Sequence, residues 1–194
     1  MEPTRAYDRM LAELPYRVPD AELFAMQEAA QKGFEAVNAT AGQGFDARRP
    51  LVQSLLGAFG ESYLEPPVRW EYGTHIFIGD HCLVNSGCTF MDGAEIHIGD
   101  GTLIAPNSML VTAGHPVEPE RRVIVSDDNT LDHAVCINKG IRIGKHCWIG
   151  AGAIILGGVE IGDGTTIGAG SVVTKSMPSR VLAVGNPARV IRNI

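Results

Sequence analysis

The chain has 194 residues, a length that favours one domain with a core large enough to need no disulfide or metal staple. Hydrophobic residues make up 45% and charged residues 20%, which excludes bulk disorder, collagen and a membrane bundle, and no apolar run reaches bilayer-crossing length. The net charge is −6 from 16 basic and 22 acidic residues with no basic stretch, so neither nucleic acid nor a membrane is an expected partner. The opening MEPTRAYDRM mixes charges of both signs and lacks an apolar core, unlike a secretory leader. Four cysteines, Cys82, Cys88, Cys136 and Cys147, follow no CxxC spacing, so reduced thiols and a cytoplasmic location are expected.

Residues 1–65 read as a helical segment. Asp20 is a candidate N-cap, and Leu23, Met26, Ala30, Phe34 and Val37 recur on one helical face. Residues 38–45 punctuate. A second helix is expected with Asp46 as cap, Pro50 in its first turn and Leu51, Leu55, Leu56 and Phe59 on one face. Glu65-Pro66-Pro67 ends the helical region.

From residue 78 the pattern changes to a period of six. Ile78, Val84, Phe90 and Ile96 mark the first run; the phase then slips by two, and Ile98, Ile104 and Leu110 continue it. Ile143, Ile149, Ile155, Ile161, Ile167 and Val173 form a second, stricter block. Four positions after each aliphatic residue stands a small one: Cys82, Cys88, Ala94, Thr102 and Ser108, then Cys147, Ala153, Val159, Thr165 and Ser171. A six-residue period fits neither an amphipathic helix nor an alternating hairpin sheet. It fits a coil of three short flat faces, about 18 residues per turn, with the aliphatic column inside and Gly allowing turns between faces. Gly is abundant, at 23 residues, and aromatics are only 6%. The expected fold is mainly β, a parallel β-helix of hexapeptide repeats over residues 66–194, with a loop insertion at about 117–140 and a C-terminal cap. Cys82, Cys88 and Cys147 fall in small inward slots and read as inert core thiols. Cys136 is out of register, with no activating base evident beside it.

Several motifs occur in a specific order. Tyr72-Gly73-Thr74-His75-Ile76-Phe77-Ile78-Gly79 opens the coil, and Asn85 and Asp92 interrupt it. Ile104-Ala105-Pro106-Asn107 leads to Gly114-His115-Pro116. Cys147-Trp148-Ile149-Gly150-Ala151, residues 168–175 and Gly185-Asn186-Pro187-Ala188-Arg189-Val190-Ile191-Arg192 follow. Over nearly the whole chain this series resembles the galactoside, maltose and nodulation-type O-acetyltransferases of the hexapeptide acyltransferase superfamily. The resemblance implies a left-handed coil, a homotrimer with sites between subunits, and acetyl transfer from acetyl-CoA to a sugar hydroxyl.

The residue chemistry agrees with that implication. An alcohol attacking a thioester needs a base near neutral pKa, and imidazole suits it. His115, between Gly114 and Pro116 where a face stops and a loop leaves, resembles the family's catalytic base. Asn85 and Asp92 look like acceptor-binding residues, because amides and carboxylates pair with hydroxyls. Glu71 and Trp148 match family positions beside the sugar or the pantetheine arm. For the nucleotide end, the resemblance implies Thr174, Lys175, Arg189 and Arg192; Ala151 and Ala169 would line the groove, and Gly114 permits close approach to the thioester. Acetyl-CoA is the expected co-substrate and no metal is expected.

Two features depart from that pattern or compete with it. The 25 residues between His115 and Ile141 include a charged insertion, Glu118 to His133, of the kind that forms lids or specificity elements. His97, His115 and His133 are spaced by 18, which suits a stacked zinc site of the γ-carbonic-anhydrase kind, although the phase slip breaks the register. An antibiotic or serine hydroxyl as acceptor, and a non-catalytic β-helix scaffold, are the other readings.

Overall fold

A computed structural model describes residues 2–194. Three helices precede the coil: α1 (Ala6–Leu11), α2 (Ala21–Asn38) and α3 (Phe45–Leu55). Asp20 caps α2, its carboxylate accepting from the N–H groups of Glu22 and Leu23. Leu23, Ala30 and Val37 are buried on the expected face. The expected start of α3 is corrected. The helix begins at Phe45 with Gly44 as N-cap, so Asp46 lies in the first turn and Pro50 inside the helix. Phe59 is not helical; Ala58–Phe59 is already a strand, paired in parallel with Phe77–Ile78. The coil therefore starts ahead of the boundary drawn at 65/66, and α1 is an element the periodicity did not reveal.

The remainder is a β-solenoid of about six turns. Face one stacks Ala58–Phe59, Ile76–Ile78, Ile96–Ile98, Ile141–Ile143 and Glu160–Ile161. Face two stacks Tyr63–Leu64, Leu83–Val84, Leu103–Ile104, Trp148–Ile149, Thr166–Ile167 and Val181–Gly185, closed by the antiparallel Ala188–Asn193. Face three stacks Arg69–Trp70, Thr89–Met91, Met109–Val111, Ile154–Leu156 and Val172–Val173. All solenoid pairings are parallel except that terminal hairpin.

The six-residue register explains the core. Ile149, Ile155, Ile167 and Val173 are fully buried in one column, each contributing about 1.5–3 kcal/mol of burial. All ten small slots are buried too. Their hydroxyls are satisfied by the next turn: Thr102 Oγ1 donates to the Gly144 carbonyl at 2.8 Å, and Ser171 Oγ accepts from the Gly185 N–H at 3.0 Å. The residue before such a slot takes a left-handed backbone, as at Gly164 (φ +66°), where a side chain would be strained.

The phase slip also has a structural cause. Ile76 pairs with Ile96, whereas Ile143 pairs with Ile161, so the upper turn is two residues longer. The extra residues collect at the edge joining face three to face one.

Residues 117–140 are not an irregular loop. They form a short 3₁₀ turn (Pro119–Arg121) and a β-hairpin of Val123–Val125 and Leu131–Cys136. Its second strand pairs with Tyr16–Val18 of the N-terminal segment. Asp128 closes the tip, accepting from the Ser126 and Thr130 hydroxyls at 2.8 and 2.7 Å.

Candidate active site

The strand Met109–Val111 ends at Thr112, which is buried and locked to the turn above. Its Oγ1 donates to the Met91 carbonyl at 2.6 Å and accepts from the Ala94 N–H at 3.0 Å. The chain then leaves the coil and reaches His115. The hairpin's return strand runs back beside it. Ile137 N–H donates to the Gly114 carbonyl and Lys139 N–H to the Thr112 carbonyl, both at 2.9 Å. Arg122 pins the hairpin base through the carbonyls of Pro116 and Val117, at 3.0 and 2.7 Å.

His115 Nδ1 lies 2.8 Å from the Val135 carbonyl oxygen. A carbonyl can only accept, so Nδ1 carries the proton. In the neutral ring Nε2 is then the bare nitrogen, on an exposed side chain. This is the orientation a general base needs. Cys136 Sγ sits 3.8 Å from the same Nδ1, so the cysteine expected to have no base beside it is next to the histidine. Its thiol is held above the usual range by burial. The other three thiols are core residues, and burial pushes Cys88 up to about 11.

Asp92 lies at the same edge, directly beside the backbone of Glu71. Its carboxylate is 0% exposed. It accepts from the N–H groups of Glu71, Tyr72 and Gly73 at 2.8, 2.9 and 2.7 Å, and its own carbonyl accepts from His75 Nδ1 at 2.7 Å. Asp92 braces the widened corner and shapes the position of Glu71.

Glu71 is half-buried. Its Oε1 accepts from Gln27 Nε2 at 2.9 Å, and its Oε2 is buried without a partner. Burial first, and the neighbouring Asp92 second, push this carboxyl up to about 7. It faces a cleft of about 450 Å³ between α2 and face three, lined also by Phe24, Gln27, Arg69, Trp70 and Met91.

The remaining site candidates fall elsewhere. Asn85, Ala151 and Ala169 lie along the edge joining face two to face three. Asn85 Oδ1 accepts from the Ser86 N–H at 2.9 Å, which leaves its amide nitrogen free among the described residues. Trp148 stands on face two, 55% exposed, in a ladder with Leu103 and Thr166. The three cations divide between two elements. Thr174 and Lys175 follow the last strand of face three, on the His115 edge, whereas Arg189 and Arg192 belong to the terminal hairpin on face two. None of the three cations has a carboxylate partner among the described residues.

The zinc reading does not survive the geometry. His97 stacks on Phe77 at 4.7 Å on face one and pairs with Glu95, and His133 sits on the hairpin beside Asp132. No group of three potential metal ligands converges among the described residues. The sequence reading also missed Tyr16, Gln27 and Asn138, which reach this edge from distant segments and carry no local signature.

A repeat solenoid with an exposed, oriented imidazole at its one long excursion is the scaffold of a hexapeptide-type transferase. Comparison with known proteins gives the class its name. Residues 140–175 match the family described as bacterial transferase hexapeptide (six repeats), and residues 9–60 match the maltose acetyltransferase hexapeptide capping motif. Nodulation protein L of Rhizobium meliloti (strain 1021) is 40% identical over 184 residues, covering 94% of this chain and 96% of its own. The crystal structure of a maltose O-acetyltransferase from Clostridium difficile 630 is 34% identical, with a TM-score of 0.89 and 98% of each chain covered. A galactoside acetyltransferase in complex with coenzyme A is 31% identical, with a TM-score of 0.86, covering 99% of this chain and 92% of its own. The chain belongs to the acetyl-CoA-dependent O-acetyltransferases of the galactoside and maltose type.

Proposed function

We propose that the chain moves an acetyl group from acetyl-CoA to a hydroxyl of a sugar or similar small acceptor, in one direct transfer with His115 as general base. The observation that carries this reading is the Val135 carbonyl on His115 Nδ1, which leaves Nε2 bare and exposed. As the acceptor oxygen bonds to the thioester carbon, its proton passes to Nε2. The C–S bond then breaks, and the imidazolium gives that proton to the departing thiolate. A sugar acceptor is supported by the names of the maltose and galactoside relatives and by the mixed aromatic and polar lining of the cleft at Glu71. Lys175, Arg189 and Arg192, without carboxylate partners, suit the phosphates of CoA, and Ala151 and Ala169 suit its pantetheine arm. A cytoplasmic location belongs to the same reading, supported by four free thiols.

The division of the candidates between two edges supports a homotrimer with shared sites. His115, Glu71 and Lys175 lie on one edge; Asn85, Ala151 and Ala169 lie on another, with face three between them. A site using both sets takes one edge from each of two copies. Face two also exposes an apolar ladder of Tyr63, Leu103 and Trp148, which a neighbouring copy would cover.

The test is thiol release from acetyl-CoA against glucosides, galactosides, maltose, serine and chloramphenicol. One acceptor class should stimulate release, and His115→Ala should lower kcat by about 10²–10⁴ with acetyl-CoA binding intact. Wild-type turnover in that variant removes His115 from the mechanism. Mixing inactive His115→Ala with inactive Asn85→Ala chains should restore part of the activity if sites are shared; no recovery in mixed oligomers refutes the sharing.

A further inference from the structure

The segment that orients His115 is itself gripped on its far side. Its inner edge bonds to the catalytic segment through Lys139, Ile137 and Val135. Its outer edge pairs with the N-terminal strand, Tyr16 opposite Cys136, Arg17 opposite Val135 and Val18 opposite Ala134. Glu13 closes the lower end, with Oε1 accepting from the Gly140 N–H at 2.8 Å and Oε2 paired with Lys139 Nζ at 3.2 Å. Residues 13–18 are thus a strap across the outer edge of the return strand.

One side chain of the strap reaches inward. The Tyr16 ring is buried, and its hydroxyl accepts from Asn138 Nδ2 at 2.9 Å. Asn138 is buried as well, and its Oδ1 has no partner. The Tyr16 hydroxyl is therefore the one group among the described residues that holds this amide. Tyr16 also stands opposite Cys136 across the strand pair, and the Cys136 sulfur is 3.8 Å from His115 Nδ1. Asn138 lies between Ile137 and Lys139, the two residues whose N–H groups grip the catalytic segment. Burial keeps the phenol neutral far above working pH, so its role is geometric.

We propose that Tyr16 is a positioning residue for the acetyl transfer: through Asn138 its hydroxyl sets the strand whose Val135 carbonyl fixes the tautomer and direction of the His115 ring. The inference rests on His115 being the base. A misplacement of about 1 Å at a reacting group costs about 100-fold in rate, so the one bond that holds the buried Asn138 amide is a sensitive point.

Tyr16→Phe keeps the ring and removes the hydroxyl. Its kcat should fall at least about tenfold while the KM for acetyl-CoA stays within about twofold. A loss of packing alone would not change which ring nitrogen of His115 carries the proton, so the ¹⁵N resonances of that ring are the second readout. The wild type should show a protonated Nδ1 and a bare Nε2, and Tyr16→Phe should show averaging of the two tautomers. Wild-type kcat, or a reduced kcat with unchanged ring resonances, overturns the proposal. If Tyr16→Phe does not fold, Asn138→Ala breaks the same bond from the other side and should give the same two changes; a folded Asn138→Ala with wild-type kcat and ring resonances overturns it equally. Turnover surviving in His115→Ala sinks the general-base reading. An inactive His115→Ala beside a wild-type Tyr16→Phe sinks only the positioning role.

Discussion

The lower turns, from Ile141 to Val173, and the upper turns, from Ala58 to Val111, are made of the same repeat but spend it differently. In the lower turns every inward slot is aliphatic or small, strands pair without interruption, and no buried side-chain polar atom lacks a partner. In the upper turns the two extra residues per coil widen one edge, and there Asp92 and His75 sit buried beside the half-buried Glu71. Two of the three unpartnered buried polar atoms among the described residues, Trp70 Nε1 and Glu71 Oε2, belong to the first of these turns. A regular repeat accumulates stability turn by turn. The widened turns give up part of it to hold polar groups in a dry place, where charge and orientation count for more.

Cutting the regular column is the strongest way to test this division. Ile155 is fully buried in the lower turns, with Leu110 and Val173 as its ladder neighbours. Ile155→Ala should cost about 2–5 kcal/mol, read as a fall in the midpoint of denaturant unfolding. The activity per folded molecule should be unchanged. A loss below about 1 kcal/mol would show that the lower turns are not the stabilising half.

The regular half was the legible half. Ile143 to Val173 announce their strands because each inward residue needs the same shape at the same interval, and a single sequence shows that interval directly. Cys82, Cys88 and Cys147 could be placed in the core by register alone. His115 was legible because it stands where the register stops. The hairpin, Tyr16 and Asn138 were not, since Tyr16 meets Cys136 and Asn138 across most of the chain and no local pattern encodes that pairing. The burial of Asp92 was hidden for a related reason. An acidic residue that interrupts a repeat reads the same whether it faces a ligand or three backbone N–H groups. The phase slip was the usable signal, marking the corner where the polar residues gather.

Glu71 measures what the widened corner costs. Below pH about 4.5 its carboxyl is protonated in both folded and unfolded chains. Between about 4.5 and about 7 the unfolded chain releases the proton while the folded chain keeps it, so stability falls as pH rises, and the full penalty stands above about 7. Glu71→Gln cannot ionise and should be more stable than the wild type above pH 7 by about 2 kcal/mol, with no advantage below pH 4. Thermal unfolding at pH 4 and pH 8 checks this. An equal effect at both pH values would mean the carboxyl is not the source of the strain.

The smallest expected effects bear on how the two edges combine. Lys175→Ala and Arg189→Ala each remove one exposed cation, and an exposed pairing is worth about 0.5–1 kcal/mol, or about two- to fivefold in KM for acetyl-CoA. The acceptor KM should not move. In one chain these cations stand on different edges, Lys175 after the last strand of face three and Arg189 on the terminal hairpin of face two. If both substitutions raise the same KM, and their effects multiply in the double variant, one nucleotide is held by groups that a single copy keeps apart. That outcome requires the His115 edge of one copy to lie against the second edge of another. A silent Arg189→Ala beside an effective Lys175→Ala would confine the nucleotide to the His115 edge. The widened corner would then work within one chain, and the need for a partner would rest on Asn85, Ala151 and Ala169 and on the exposed ladder of face two.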